Sequence, residues 1–358
     1  MKELMHYLKH AVEQEASDLF LIVGSPACQK CDGRVAPIDD ERLSAEDTKN
    51  LITEIYRKAE RSMDEYLTTG DDDFSFAVPG LASFRVNTYR QRGSMSAVIR
   101  VVSFQIPDWK TYHIAEEVMD LADVDGGMVI VTGRANSGKS TTQACIIDRI
   151  NHTRECHIIT LEDPIEYLHR NGKSLVSQRE IAIDTRDYGS ALRACMRQAP
   201  DVILLGEMRD AETISAAITA AETGHTIITT LHTGSAVHTI DRIIDSFPSQ
   251  QQGQIRVQLA SVLHTVVAQQ LIPDVNGNLI PAYEIMHMNS AIRTLIRDNK
   301  NHQIDNVIAS SGAEGMVSMD QYILRLYREG TITEETALEY AVNEEQMKRS
   351  MRKSGERQ

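Results

Sequence analysis

An α/β protein built on a parallel sheet is the fold class the sequence predicts, from three observations. First, residues 128–132 (MVIVT) form a short, fully apolar run, as a strand buried on both faces should. That run breaks into Gly133-Arg134-Ala135-Asn136-Ser137-Gly138-Lys139-Ser140-Thr141, and a helical pattern carrying Ile146, Ile147 and Ile150 follows. Second, three more apolar runs alternate with helical segments downstream, at 156–161, 201–206 and 226–231. Third, the region before residue 105 alternates short strands with helices and reads as a separate α+β unit. The expected organisation is an N-terminal domain over 1–104, a linker over 105–113, an α/β core over 114–272 and a hairpin with helices over 273–358.

Composition bounds the class. The chain has 358 residues, which is room for two domains. Its 37 basic and 51 acidic residues give a net charge of −14, which argues against a nucleic-acid partner, because phosphate contacts need a basic surface. No apolar run approaches the roughly 20 residues that span a bilayer, and the N-terminus lacks the apolar core of a signal peptide. A cytoplasmic protein without membrane insertion is expected. Cys28 and Cys31 form one CxxC with no second pair, so they are not read as a zinc site. Two ordinary thiols and a redox pair both remain open.

The elements follow in order. Residues 2–15 repeat apolar positions at helical spacing, and 18–23 read as a strand that ends at Gly24-Ser25-Pro26. A second strand or turn over 29–37 carries Asp32-Gly33. Residues 44–58 are helical, with Ser44 as N-cap and Asp47 completing a box-like start. Asp71, Asp72 and Asp73 read as an acidic loop before strands at 74–78 and 83–89. Residues 105–112, with Pro107 and Trp109, read as linker, and 114–123 as a helix. Helices at 189–198, 211–222 and 250–265 fill the crossovers, and Asn276-Gly277 signals a hairpin. Residues 289–347 are mostly helical, with their methionines read as core. The charged tail from Lys348 is expected to fray.

Charge is uneven in the first unit. No acidic residue lies between Asp73 and Asp108, while Arg85, Arg90, Arg92 and Arg100 do. If Arg92-Gly93 is a two-residue turn, Gln91 faces Ser94 and Arg85 faces Arg100. Opposed like charges destabilise a strand pair unless an anion sits between them. A phosphate clamp is one reading; neutralisation by Asp71–Asp73, or a different register, is the other.

The chemistry gathers after the apolar runs. Glycine, four free positions and Gly-Lys-Ser form the phosphate-loop pattern, here with strand before and helix after. Successive N–H groups at a helix N-terminus suit an anion. Lys139 is placed to reach the β- and γ-phosphates of ATP, and Ser140 to ligate Mg²⁺. Glu207 follows the 202–205 run in the position of an acid that orients attacking water, and it contributes to Mg²⁺ partly through water. The preceding carboxylate position is Gly206. Glu162, with Asp163 and Glu166 nearby, closes another run. His232 ends a third and is placed to sense the γ-phosphate; His225, at its other end, reads as structural. Helix-start charge for the acids, and a satisfied core histidine for His232, are the plainer alternatives.

Four segments resemble one family: GRANSGKST at 133–141, IITLEDPIEYLH at 158–169, DVILLGEMRDAET at 201–213 and AAETGHTIITTLHTGSAVHTIDRIID at 220–245. In this order they look like the Walker A, Asp, Walker B and His boxes of the secretion ATPases, and more narrowly of the type IV pilus retraction ATPases. SDLFLIVGSP at 17–26, AIRTLIRDNKNHQI at 291–304 and GMVSMDQYILRLY at 315–327 are similar to that family too, so the likeness covers nearly the whole chain.

The resemblance implies a PAS-like N-terminal domain, a RecA-like ATPase domain and a helical C-terminal part. It implies a cytoplasmic homohexamer at the inner face of the membrane, with ATP between the two domains. Its partners would be an inner-membrane pilus platform protein and a paralogous retraction ATPase. Glu207 would be the catalytic glutamate, Glu162 the Asp-box acid and His232 the His-box histidine, with Arg85 and Arg100, and more weakly Arg92, contacting phosphate. A hexameric motor for pilus retraction is the expected function. The alternatives are a non-hydrolysing nucleotide-dependent scaffold and an extension or type II secretion ATPase. The phosphate loop departs from the family's usual Gly-Pro-Thr-Gly-Ser-Gly-Lys by placing Arg134, Ala135 and Asn136 in its middle. Features of both the PilT-like and PilU-like branches occur.

Overall fold

The computed structural model describes residues 3–31, 33–102 and 106–355. Asp32 of the expected turn and Gln105 at the head of the expected linker lie outside them. Two compact units form, one from residues 1–105 with 165–168 and one from 106–164 with 169–358.

The first unit contains α1 (Leu4–Glu13), β1 (Asp18–Leu21), β2 (Pro26–Cys31), β3 (Arg34–Arg42), α2 (Ala45–Lys58), α3 (Asp64–Thr69), β4 (Asp71–Val78), β5 (Ala82–Gln91) and β6 (Ser94–Val102). The strands make one antiparallel sheet in the order β3-β2-β1-β6-β5-β4. Ser44 caps α2 as read from sequence: its hydroxyl accepts from the Asp47 N–H, and the Asp47 carboxylate accepts from the Ser44 N–H at 2.8 Å. Leu51, Ile52 and Ile55 of α2 share a core with Leu19, Phe84 and Ile99.

Two expectations for this unit change. The acidic loop at 71–73 is the start of β4, with Asp72 paired to Thr88 across the strands. Alternation turns Asp72 inward, where Arg61 donates to both carboxylate oxygens at 2.7 and 2.9 Å and the Tyr56 hydroxyl donates at 3.0 Å. Being paired, Asp72 can be buried; unpaired it could not. Cys28 and Cys31 sit three residues apart on β2, so the pleat sends them to opposite faces. Cys31 faces the core with Ala27, and Cys28 contacts the Ser25 hydroxyl and the Pro26 carbonyl, which removes the redox-pair reading.

The second unit contains α4 (Glu116–Met119), β7 (Gly127–Thr132), α5 (Lys139–Thr153), β8 (His157–Glu162), β9 (Leu175–Glu180), α6 (Tyr188–Cys195), β10 (Val202–Leu205), α7 (Ala211–Glu222), β11 (Thr226–Leu231), α8 (Ala236–Asp245), α9 (Ser249–Val262), β12 (Leu263–Pro273), β13 (Leu279–His287), α10 (Ser290–Arg297), α11 (Ile304–Ser310), α12 (Met319–Arg328), α13 (Glu334–Tyr340) and α14 (Glu344–Gly355). Its sheet runs β13-β12-β7-β11-β10-β8-β9, parallel except for β13. Alternating residues of β7 feed two cores: Met128 and Ile130 join one, and Val129 joins the other.

The sequence reading of this unit needs four corrections. The helix expected at 114–123 is α4 followed by a 3₁₀ turn over Asp120–Asp123. The helix expected at 250–265 ends at Val262, because the β-branched run that follows pairs in parallel with β7. β9 carries polar residues on an edge and gave no strand signal. The tail from Lys348 continues α14: Met347 and Met351, one turn apart, are buried, and Glu344–Lys348 and Glu345–Arg349 pair along the exposed side.

Glu284, in the middle of β13, ties helices to the sheet. Its Oε1 accepts from the Ala236 N–H at the start of α8 at 2.8 Å. Burial, with Asp305 and Asp320 nearby, pushes its pKa up to about 7, against the lowering effect of the Ala236 and Met319 N–H groups. The folded-state pKa lies above the unfolded one, so the extra proton stabilises the fold at about pH 4.5, and that stabilisation is lost as pH rises through about 7. Glu284→Gln keeps the acceptor and removes the titration. Its stability relative to wild type should therefore rise by up to about 3 kcal/mol between about pH 5 and pH 8 in urea unfolding. A difference that does not change with pH would contradict this.

Candidate active site at the ends of the parallel strands

Parallel pairing sets the ends of β7, β11, β10 and β8 side by side, and each end passes into a polar group. Thr132 pairs with Leu231, and Leu205 pairs with both Thr229 and Leu161. Beyond these ends come Gly133 after β7, His232 after β11 and Gly206-Glu207 after β10, while Glu162 closes β8. At about 5 Å per strand, the Glu162 strand is third from the phosphate-loop strand, about 14 Å away.

The phosphate loop forms with its substituted middle. Asn136 takes φ +62, a left-handed conformation that asparagine tolerates better than most residues. Arg134, Ala135 and Asn136 are exposed, so these changes face outward. A Cβ at Gly133 would lie 2.3 Å from the Gln269 carbonyl oxygen and 2.5 Å from Ser137 Oγ, so only glycine fits. Lys139 Nζ donates to the carbonyls of Gly133 and Arg134, both at 2.9 Å. Ser137 Oγ is buried without a hydrogen-bond partner among the described residues. Such a group costs about 1–3 kcal/mol, which a phosphate oxygen would recover. The loop therefore fits an anion, and Ser140 and Thr141 open α5 directly behind it.

Glu207 and His232 are brought together, with His232 Nε2 3.4 Å from Glu207 Oε2. The other oxygen, Oε1, meets Arg209 Nη2, and the carboxylate raises the Arg209 pKa. Glu207 is nearly buried, while His232 and Arg209 are more than half exposed. A buried acid held between an exposed guanidinium and an exposed imidazole is fixed in orientation yet reachable from solvent. Glu162 is held separately: its Oε1 accepts from Thr160 Oγ1 at 2.5 Å and from Gln178 Nε2 at 3.2 Å. Glu166 falls in the 165–168 segment that groups with the first unit. His225 bonds the Ala220 carbonyl and Thr223, the structural role read for it.

Among the described residues, no cluster of three His, Cys, Asp or Glu side chains is arranged to hold a metal ion. Among the described residues, no hydrogen bond competes for the Ser140 hydroxyl, so it is the protein donor suited to a Mg²⁺ carried in with phosphate.

In the first unit, the hairpin register is the one counted from Arg92-Gly93. Gln91 pairs with Ser94 and Arg85 with Arg100. Both turn residues have positive φ, +51 and +78, as a type I′ turn requires. Asp71–Asp73 do not neutralise the pair, since Asp72 holds Arg61 and Asp73 accepts from Asn87. Arg100 Nε donates to Asp18 at 3.1 Å while most of its side chain stays exposed. Arg85 has no ion pair among the described residues.

Several site residues escaped the sequence reading. Arg209, two residues after Glu207, was legible as a cation but not as its partner. Thr132, Thr233 and Thr239 form a hydroxyl chain behind the site, with O···O distances of 2.7 and 2.6 Å. Gln269 braces the loop from β12 and Tyr188 stands over Gly206; neither had a local signal.

Residues 1–358 match the Type II/IV secretion system protein family. The chain belongs to that family. It is 42% identical over 340 residues to the type IV pilus retraction ATPase PilT of Pseudomonas aeruginosa, covering 95% of this chain and 98% of that one. It is 36% identical to the type IV pilus ATPase PilU of the same organism, over 95% of this chain and 88% of that protein. A crystal structure of the pilus retraction motor PilT with bound ADP superposes with a TM-score of 0.88 at 41% identity, covering 98% of this chain and 100% of that one.

Family membership leaves the glycine at 206 to be explained locally. A Cβ there would lie 2.9 Å from the Tyr188 hydroxyl and 3.2 Å from the Leu161 carbonyl oxygen. Burial, then Glu207 and Asp163, push the Tyr188 pKa up, so the phenol stays neutral. Gly206→Ala should lower thermal stability by about 1–3 kcal/mol, and adding Tyr188→Phe should recover at least half of that. No recovery in the double variant would show that the hydroxyl is not what excludes a side chain.

Proposed function

We propose that this protein is an ATP-hydrolysing motor that powers retraction of type IV pili. The observation that carries the reading is the joint placement of the phosphate loop and the Glu207–His232 pair on neighbouring strand ends. Full-length similarity to the retraction ATPase supports the choice within the family.

The division of labour follows from the residues. The loop N–H groups, Ser137 Oγ and Lys139 bind the phosphates, and Lys139 exchanges its carbonyl partners for phosphate oxygens. Ser140 would hold a Mg²⁺ carried in with the phosphates, which would supply neutralisation of the phosphoryl charge. Glu207 accepts a hydrogen bond from the attacking water and aims its oxygen at the γ-phosphorus; Arg209 holds the carboxylate in place. His232 couples Glu207 to the phosphate it faces. Glu162, farther along the sheet edge, orients polar groups at the rim. Arg85 and Arg100 form an anion-binding pair on the first unit, with Arg92 at the turn beyond them. The first unit is read as PAS-like and the second as RecA-like with a helical extension.

The working form is a cytoplasmic homohexamer at the inner face of the membrane. It acts on an inner-membrane pilus platform protein, alongside a paralogous retraction ATPase. No helix among the described residues is long and apolar enough to cross a membrane.

The purified protein should turn over ATP as a hexamer, with mass and phosphate release read together. Glu207→Gln should still bind ATP but lose turnover by about 100-fold or more. Arg100→Ala should lower turnover without dissolving the assembly. Unchanged turnover in Glu207→Gln would remove the catalytic assignment. Intact wild-type assemblies that bind ATP without hydrolysing it would replace the motor with a nucleotide-dependent scaffold.

A further inference from the structure

Gln269 lies on β12, where that strand passes the phosphate loop, and is 4% exposed. Its Nε2 donates to the Ser137 carbonyl at 2.7 Å, and its Oε1 accepts from the Thr142 hydroxyl at 2.8 Å. We infer that Gln269 is a positioning residue that aims the Gly138 N–H into the anion-binding concavity, so that nucleotide affinity depends on its carboxamide donor. The inference rests on the reading of residues 133–140 as the nucleotide site.

Peptide geometry carries the argument. In a trans peptide the C=O of one residue and the N–H of the next point in opposite directions. Drawing the Ser137 carbonyl toward β12 therefore turns the Gly138 N–H away from β12, toward the loop interior. Gly138 sits at φ +83, and glycine has several other accessible conformations. Its peptide would lose its orientation if the carbonyl were released. A carbonyl can only accept, so the amide must present nitrogen to Ser137. Thr142, on the first turns of α5, fixes that choice by donating to the amide oxygen. The carboxamide thus joins β12, the loop and α5, and holds the loop peptide that leads into the helix at its N-cap, Gly138.

Glutamate tests the donor specifically. Gln269→Glu keeps the shape but turns an ionised acceptor toward the Ser137 carbonyl. Affinity for a fluorescent ATP analogue should fall about tenfold or more, with a larger change in KM than in kcat. The buried glutamate regains an O–H donor when protonated, so its affinity should recover toward wild type as pH is lowered to about 5.5, while the wild-type affinity shows no such recovery. Thr142→Val leaves the buried amide oxygen without its donor, loosens the carboxamide and should weaken binding, and Thr142→Ser should restore it. Melting temperatures are read on the same samples.

Gln269→Glu affinity within about twofold of wild type would overturn the inference. So would a loss that ignores pH, or affinity losses that follow melting temperature in every variant. If Gln269→Glu does not fold, the Thr142 pair decides: equal affinities in Thr142→Val and Thr142→Ser overturn it. Wild-type protein that binds no nucleotide would overturn the site reading, and the role of Gln269 with it.

Discussion

The parallel register of β7, β11, β10 and β8 is the constraint on which the rest of the site depends. Four strands point the same way, so their ends share one edge, and every polar group placed just beyond an end joins the same row. A slip of one residue would move a strand end by about 3.3 Å and turn its side chains to the opposite face. Glu207 would then lose His232, and its buried carboxylate would keep Arg209 alone. The apolar runs fix this register because both faces of each strand are buried, and their alternating side chains fill two cores at once.

Behind that edge lies a layer of polar ties, each carrying a buried hydrogen bond that is costly to break. Thr132 closes β7 and bonds Thr233, which bonds Thr239 inside α8. Glu284 then holds the first N–H of α8 from the far edge of the sheet. The segment after His232 is therefore anchored at both ends. A displacement of that histidine would be felt in α8 without a change in the sheet itself. This arrangement suits a site whose nucleotide state has to be passed on as movement.

Legibility from sequence followed how local each feature is. The strand–loop–helix at 127–151, the runs ending in Glu207 and His232, the cap at Ser44 and the hairpin at Arg92-Gly93 are set by neighbours in the chain, and they stand where they were expected. The counted pairing of Arg85 with Arg100 survived for the same reason: a two-residue turn dictates everything outward from it. Features set by distant partners were lost. The first residues of β12, 263–265, looked helical until β7 claimed them. Asp72 looked like loop until Arg61 and Tyr56 made its burial affordable. Gln269 reaches Ser137 across 132 positions, and no pattern within the chain announces such a contact.

Binding of ATP to wild type and to Lys139→Ala, measured by calorimetry on proteins with matched melting curves, tests the central claim most directly. Lys139 already lies against the loop backbone, on the Gly133 and Arg134 carbonyls. Wild type should bind ATP with Mg²⁺, and the variant should lose about 100-fold or more in affinity, because a charge-assisted contact to phosphate is removed. Equal affinities in the two proteins would mean that phosphate does not bind in this loop, and the functional reading built on it would fail.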